Sequence, residues 1–272
     1  TTGQVFNGSL PLTRPKLEDQ AELMTVLSWA DEIRSRHDAR KSIYNGPTRG
    51  LQVWANADLP EDAKHAREFG AEGIGLCRTE HMLTGNRSQL IRKLILADTE
   101  DDKTELIGKL EAYQIQEFTT IFEAMSGLPT IIRLSDPPLK DFLPEHTKLA
   151  EEVTILKTEK ELGKEIDEKL LEEKGKLLEK STQLYKSNPT AGIKRVRLCL
   201  VIPDLVSMQM RAILEGAFHA KSKGFNPMPQ IMVPLNIDAR ELELYKNIFD
   251  AVAQEIQTKY KSEINVKFGT MI

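Results

Sequence analysis

The stretch from Leu51 to Cys77 constrains this chain more than any other, because it spells a strand, a helix and a second strand in quick succession. Leu51 to Ala57 (LQVWANA) reads as the first strand. Pro60 then opens a helix at its favoured first-turn position, with Ala63, Ala66 and Phe69 on one face and Gly70 as its stop. Gly73 to Cys77 is a short apolar run between glycines, the mark of a buried strand. Two strands joined by one crossover helix pair in parallel. Folds built this way carry their chemistry beyond the carboxyl ends of the strands. Asn56 and Asp58 fall there after the first strand, and Arg78, Thr79, Glu80 and His81 after the second.

The alternation continues along the chain. Pro129 to Leu134 (PTIIRL), Gln230 to Leu235 (QIMVPL) and Val266 to Ile272 (VKFGTMI) read as the third, fourth and fifth strands. Between them, apolar residues recur at helical spacing. Glu105 to Met125 buries Leu106, Leu110, Tyr113, Phe118, Ile121 and Phe122. Asp204 to Ala220 offers Met208, Ile213, Leu214 and Phe218. Asp238 caps a helix to about Thr258 that turns Leu242, Tyr245, Ile248 and Phe249 inward. A shorter helix spans Asn86 to Ala97, and an N-terminal one, Glu18 to Arg36, presents Leu23, Val26, Leu27, Ala30 and Ile33. Lys41 to Gly50 is a loop, as is the proline-rich run Asp136-Pro137-Pro138 on to Pro144. Lys157 to Lys180 is densely charged with balanced signs, and Leu162, Ile166, Leu170 and Leu177 repeat along it. It predicts a solvated amphipathic helix; Gly163 and Gly175 weaken the rival coiled-coil reading.

The candidate chemistry lies in a recurrence. Arg78 and Arg133 each stand at the carboxyl end of a predicted strand, and those strands are consecutive. Taken singly, each has a structural reading: Arg78 paired with Glu80 or a nearby acid, Arg133 with Asp136 or Asp141. Taken together, two guanidinium forks can share the three oxygens of one phosphoryl group. Glu80 fits a partner that holds Arg78 in register. His81 fits either an orienting contact to Glu80 or ligand, or an ordinary loop histidine, and Asn56 and Asp58 line the same mouth. Cys77 reads as a small core residue. The five histidines, His37, His65, His81, His146 and His219, include no pair at metal-binding helical spacing.

Composition narrows the class. The 272 residues are 40% hydrophobic and 29% charged, with a net charge of -4 and no basic block clear of acids, which argues against a nucleic-acid surface. No apolar run approaches the roughly 20 residues that span a bilayer. Cys77 and Cys199 are too far apart for a metal spacing and fit reduced thiols, so an intracellular, by default cytoplasmic, protein is expected. The chain starts Thr1-Thr2-Gly3 and stops at Met271-Ile272 inside an apolar run, so it is expected to be a piece of something longer.

The strings GAEGIGLCRTEHM (Gly70 to Met82) and IIRLSDPPLKDFLP (Ile131 to Pro144) are long and specific. They resemble the phosphoenolpyruvate (PEP)-utilising enzymes, the family of the pyruvate, phosphate dikinases and PEP synthases, and the dikinases most. TTGQVF at the start and SMQMRAILEGAF (Ser207 to Phe218) support the resemblance. It implies part of a (β/α)8 barrel, about five parallel strands cut before closure. Residues 1–40 would be a linker and N-terminal helix, and 41–272 the first part of the PEP/pyruvate-binding barrel, with a charged helical insertion at about 155–186. The implied activity is phosphoryl transfer between PEP/pyruvate and a phosphohistidine on a separate swivelling domain, coupled to ATP and phosphate. Arg78 and Arg133 would grip the phosphoryl group, with Glu80, His81 and Asn56 around them. Lys194 would stand in for a third arginine: where the family has NPMLGHRGCRL this chain has NPTAGIKRVRL, and lysine keeps the charge but loses the fork. Mg2+ is implied, its carboxylates expected beyond Ile272, and the parent is expected to be a homodimer. The chain alone is expected to be inactive and, with open sheet edges, to associate. Two alternatives stand: a PEP synthase relative, and a non-catalytic barrel serving as a binding or regulatory module, which the altered Ile193-Lys194-Arg195 loop favours.

Overall fold

A computed structural model describes residues 7–9, 16, 19–35, 52–97, 99–135, 146–186, 203–234, 236 and 238–271. Helix α1 spans Ala21–Ser35. The α/β body then runs β1 (Ala55–Asn56), α2 (Pro60–Glu68), β2 (Ile74–Arg78), α3 (Ser88–Leu96), α4 (Glu100–Ala124), β3 (Pro129–Arg133), α5 (His146–Glu161), α6 (Glu168–Lys186), α7 (Pro203–Ser222), β4 (Met228–Val233), α8 (Ala239–Tyr260) and β5 (Lys267–Thr270). The strands form one five-stranded sheet in the order β1-β2-β3-β4-β5, every pair parallel. Crossovers between parallel strands are right-handed almost without exception, so a strictly sequential order carries every crossover helix to the same face. One face is therefore covered and the other is left as the inside of a barrel that these strands do not close.

Burial along the strands records that asymmetry. Thr130 and Ile132 of β3, and Pro229, Ile231 and Val233 of β4, are buried, while the residues between them are not. Ile74, Cys77, Ile132, Ile231 and Val233 share one core with Phe118, Ile121 and Phe122 of α4, Met210 and Ile213 of α7, and Tyr245 and Phe249 of α8. Cys77 pairs with Ile132 in register, so the next pair, Arg78 with Arg133, leaves the sheet on the opposite, uncovered face. Among these helices α7 is apolar nearly all round, as a helix enclosed by neighbours must be: Val206, Met208, Met210, Ala212, Ile213, Leu214, Ala217 and Ala220 are all buried. It approaches α4 so closely that a Cβ on Gly216 would lie 2.8 Å from Phe118 Cβ and 3.1 Å from Thr119 N.

Several boundaries differ from the sequence reading. The expected strand Leu51 to Ala57 is regular only at Ala55–Asn56, because the Val53 N–H donates to the Glu72 carboxylate instead of a ladder carbonyl. Helix α4 starts at Glu100, five residues before the expected Glu105. The Thr99 hydroxyl accepts from the Asp102 N–H, and Glu100, Asp101 and Asp102 complement the positive end of the helix dipole. The single charged helix predicted over Lys157 to Lys180 is two helices. Gly163, at φ 74°, ends α5 in the left-handed region, and the Asp167 side chain accepts the Leu170 N–H to start α6. The pairs Lys160–Glu168 and Lys174–Glu152 join the two. Leu23, Met24, Val26, Leu27 and Trp29 of α1 are exposed, Val26 and Trp29 by more than half, so the periodicity there marks a face that nothing among the described residues covers. Tyr113, expected inside, lies on the surface beneath the Arg87 guanidinium, 5.2 Å from its ring centre. The predicted loops Lys41 to Gly50 and Asp136 to Pro144 lie outside the described residues.

Two outcomes follow from this packing. Gly216→Ala drives a methyl group into the backbone of α4 and should destabilise the chain by about 1–3 kcal/mol. Gly175→Ala, in a helix where a new Cβ meets nothing, should be neutral or stabilise by up to about 1 kcal/mol; urea midpoints compare the two. The outer edges of β1 and β5 carry no partner strand among the described residues, so light scattering on a size-exclusion column should find species heavier than the 30.7 kDa monomer. A compact monomer at all concentrations would contradict that.

Candidate functional site

The carboxyl rim of the sheet is built from the ends of β1, β2 and β3. Arg78 and Arg133 are the last residues of neighbouring strands and are register partners, which puts the bases of their side chains side by side. Backbone spacing across a sheet is about 4.8 Å, so the two cations need compensation. Two carboxylates supply it. Asp58, just beyond β1, accepts the Arg78 backbone N–H at 2.7 Å through Oδ1 and its Nη1 at 3.2 Å through Oδ2. Glu80, in the 3-10 turn Thr79–Leu83 that follows β2, accepts from Arg133 Nη2 through Oε1.

Partner choice corrects the sequence reading. Glu80 holds Arg133 rather than Arg78, because the chain leaves β2 in a tight turn that carries it across to the end of β3. His81 sits at Asp58 rather than at Glu80, its Nδ1 3.6 Å from Asp58 Oδ2, with the ring largely exposed. Asn56 ends β1 exposed, and Asp58, two residues on, is the side chain that reaches the arginine. Lys194 lies outside the described residues, as do Asp136 and Asp141.

The two pairs differ in depth. The Arg78 side chain is 34% exposed, whereas Arg133 and Glu80 are 15% and 17% exposed. Charges this enclosed require partners. Even so, Arg133 Nε and Glu80 Oε2 are buried without a hydrogen-bond partner. An enclosed guanidinium with an unused donor is prepared to bind one more acceptor. Cys77, directly before Arg78, is fully buried, and burial pushes its thiol well above the usual range, so it is a core residue and no nucleophile.

Behind the rim lies a set of polar groups that sequence reasoning missed. Thr79 donates its hydroxyl to the Arg133 carbonyl at 3.0 Å. Gln209, from α7, donates Nε2 to the Thr79 hydroxyl at 2.9 Å, and its Oε1 accepts the Ser135 N–H at 2.6 Å. All three residues are buried. The sequence signal was an amide, Gln209, between two apolar residues, Met208 and Met210, since an enclosed amide must find partners. Arg87 was missed as well: it donates to the Met82 carbonyl at 2.9 Å and to Glu117 of α4 at 2.6 Å, tying the turn after Arg78 to the helix layer.

The donor set suits an anion better than a cation. No three His, Cys, Asp or Glu side chains gather into a possible metal site among the described residues, and the two rim carboxylates are each bonded to an arginine. Magnesium does not fit the residues described. No helix among them is long and apolar enough to cross a membrane.

Comparison with known proteins bears on this rim. The chain is 38% identical over 276 residues to the chloroplastic pyruvate, phosphate dikinase of Mesembryanthemum crystallinum. It is 35% identical over 273 residues to the pyruvate, phosphate dikinase of Giardia intestinalis and 36% over 274 residues to that of Entamoeba histolytica. All of this chain aligns, but only 26–28% of each relative, so the chain spans about a quarter of the length of the curated relatives it matches. Residues 33–272 match the model of the PEP-utilising enzyme, PEP-binding domain. With its sequential parallel sheet and its paired rim arginines, the chain belongs to the PEP-utilising enzyme family.

Proposed function

We propose that this chain is the phosphoryl-gripping part of a pyruvate, phosphate dikinase, a phosphotransferase, and that Arg78 and Arg133 clamp the phosphoryl group of PEP. The observation that carries this is the register pairing of two arginines on the uncovered face, with a buried Nε of Arg133 still unpaired. In the proposed transfer the bridging P–O bond of PEP breaks and a P–N bond forms to a histidine on another domain. The electron pair stays on the enolate of pyruvate, which then takes a proton at carbon. The arginines hold the phosphoryl oxygens through that exchange and offset their charge. Lys194 is proposed as a third, monodentate contact. Asn56 and His81 are proposed to line the mouth, His81 beside Asp58.

The magnesium that the family implies would assist by neutralising the same oxygens, but the residues described supply the anion-binding half only. Two charge-assisted contacts of about 1.5–3 kcal/mol each amount to roughly millimolar affinity for PEP. Transfer itself needs the histidine on the other domain, so this chain by itself is proposed to bind without turning over. A parent homodimer and an intracellular setting belong to the same proposal. A second reading is favoured by Ile193-Lys194-Arg195, where relatives carry the third arginine: a binding module that takes PEP but exchanges no phosphoryl group. Incubating the full-length protein with labelled PEP separates the two, since only the dikinase acquires an acid-labile phosphohistidine.

Two further outcomes test the clamp. Titration calorimetry with PEP should find Arg133→Ala weaker than wild type by about 10- to 150-fold; equal heats would remove Arg133 from the site. Glu80→Gln removes the carboxylate that neutralises Arg133 in the free chain, lowering its melting temperature. PEP should then raise that temperature by more than it does in wild type, and equal rises would separate Glu80 from the clamp.

A further inference from the structure

We infer that Gln209 and Thr79 are positioning residues for the anion clamp, fixing the separation of Arg78 and Arg133 through a buried hydrogen-bond relay. The inference rests on the PEP reading above for its ligand, and on the geometry for its mechanism. Thr79 directly follows Arg78, so whatever anchors its side chain anchors the end of β2. Its hydroxyl donates to the carbonyl of Arg133, the other clamp residue, at 3.0 Å. That bond spans the two strands at the one place where the ladder has ended and the backbone would otherwise splay. A hydroxyl has a single proton, and Gln209 decides where it points: by donating Nε2 to Thr79 Oγ1 at 2.9 Å, the amide occupies a lone pair and leaves the proton for Arg133. The amide is itself oriented, because its Oε1 accepts the Ser135 N–H at 2.6 Å, two residues beyond Arg133. One side chain of α7 thus addresses both strand ends, and the helix layer sets the spacing of the guanidinium groups.

The relay is sealed from solvent, with Thr79 at 0%, Ser135 at 2% and Gln209 at 3% exposure. None of the three touches the proposed ligand position directly, so their role is to place the groups that do. A small displacement of clamping groups costs binding far beyond the energy of one hydrogen bond.

The test uses four single variants of the whole chain and one double variant, Gln209→Met with Thr79→Val. Gln209→Met keeps the volume and removes both of its bonds. Thr79→Val keeps the shape and removes the hydroxyl. Thr79→Ser retains the hydroxyl, and Met208→Leu is an equally buried change in the neighbouring position of α7. PEP affinity should fall about tenfold in Gln209→Met and in Thr79→Val. The double variant should fall no further, because the bonds act in series, while Thr79→Ser and Met208→Leu stay within about twofold of wild type. In ligand-free chain, the Nε–Hε resonances of Arg78 and Arg133 should move in Gln209→Met and Thr79→Val and stay put in the other two. Wild-type affinity in folded Gln209→Met and Thr79→Val overturns the inference and leaves the PEP reading intact. If the wild type itself binds no PEP, that reading fails, and the arginine resonances decide the relay alone: movement sustains it and constancy overturns it.

Discussion

Two positive charges at adjacent strand ends set the constraint that the rim of this molecule has to meet. Two guanidinium groups as close as the strands that carry them, about 5 Å apart, would repel by about 3 kcal/mol at an effective dielectric near 20. The fold meets that with carboxylates from two different places: Asp58 past β1 against Arg78, and Glu80 past β2 against Arg133. Four charges of alternating sign therefore span the ends of three strands. The arginines are held in place before any ligand arrives, which spares the entropy of immobilising two long side chains on binding. The cost is a weaker attraction for the incoming anion, because each cation is already neutralised. For the anion clamp proposed above, an affinity in the millimolar range is the expected compromise, and Arg133 Nε is buried with no hydrogen-bond partner.

The rest of the structure keeps that rim in place. Sequential parallel strands send crossover helices to one face, so Arg78 and Arg133 leave the sheet on the face the helices do not cover. The helix layer in turn is pinned by the close approach of α7 to α4 at Gly216. From α7, Gln209 reaches through the layer to the ends of β2 and β3. Packing on one face of the sheet is in this way linked to charge placement on the other.

Much of this was legible in the sequence. Short apolar runs between glycines and prolines located five strands, and Arg78 and Arg133 stood out because each closes such a run. Asp238 was recognisable as a cap and proves to be one. Partner assignments were not legible. Glu80 is two residues from Arg78, but the turn after β2 hands it to Arg133, and no local pattern encodes that crossing. Gln209 sat inside SMQMRAILEGAF, where the surrounding apolar letters describe packing and give no direction for one amide. Periodicity reports that a helix has an apolar face and says nothing of what covers it; hence the stripe of α1 was legible while its exposure was not. Gly163 was noticed as an obstacle to a coiled coil, whereas its physical role is the left-handed cap that divides the charged segment into two helices.

The central claim is that Arg78 and Arg133 act on one anion together. A double-mutant cycle of Arg78→Ala and Arg133→Ala on the binding of inorganic phosphate measures this directly. The account predicts strong coupling, with the total loss in the double variant far below the sum of the two single losses. Losses that add within about 0.5 kcal/mol would mean two independent arginines and no shared clamp.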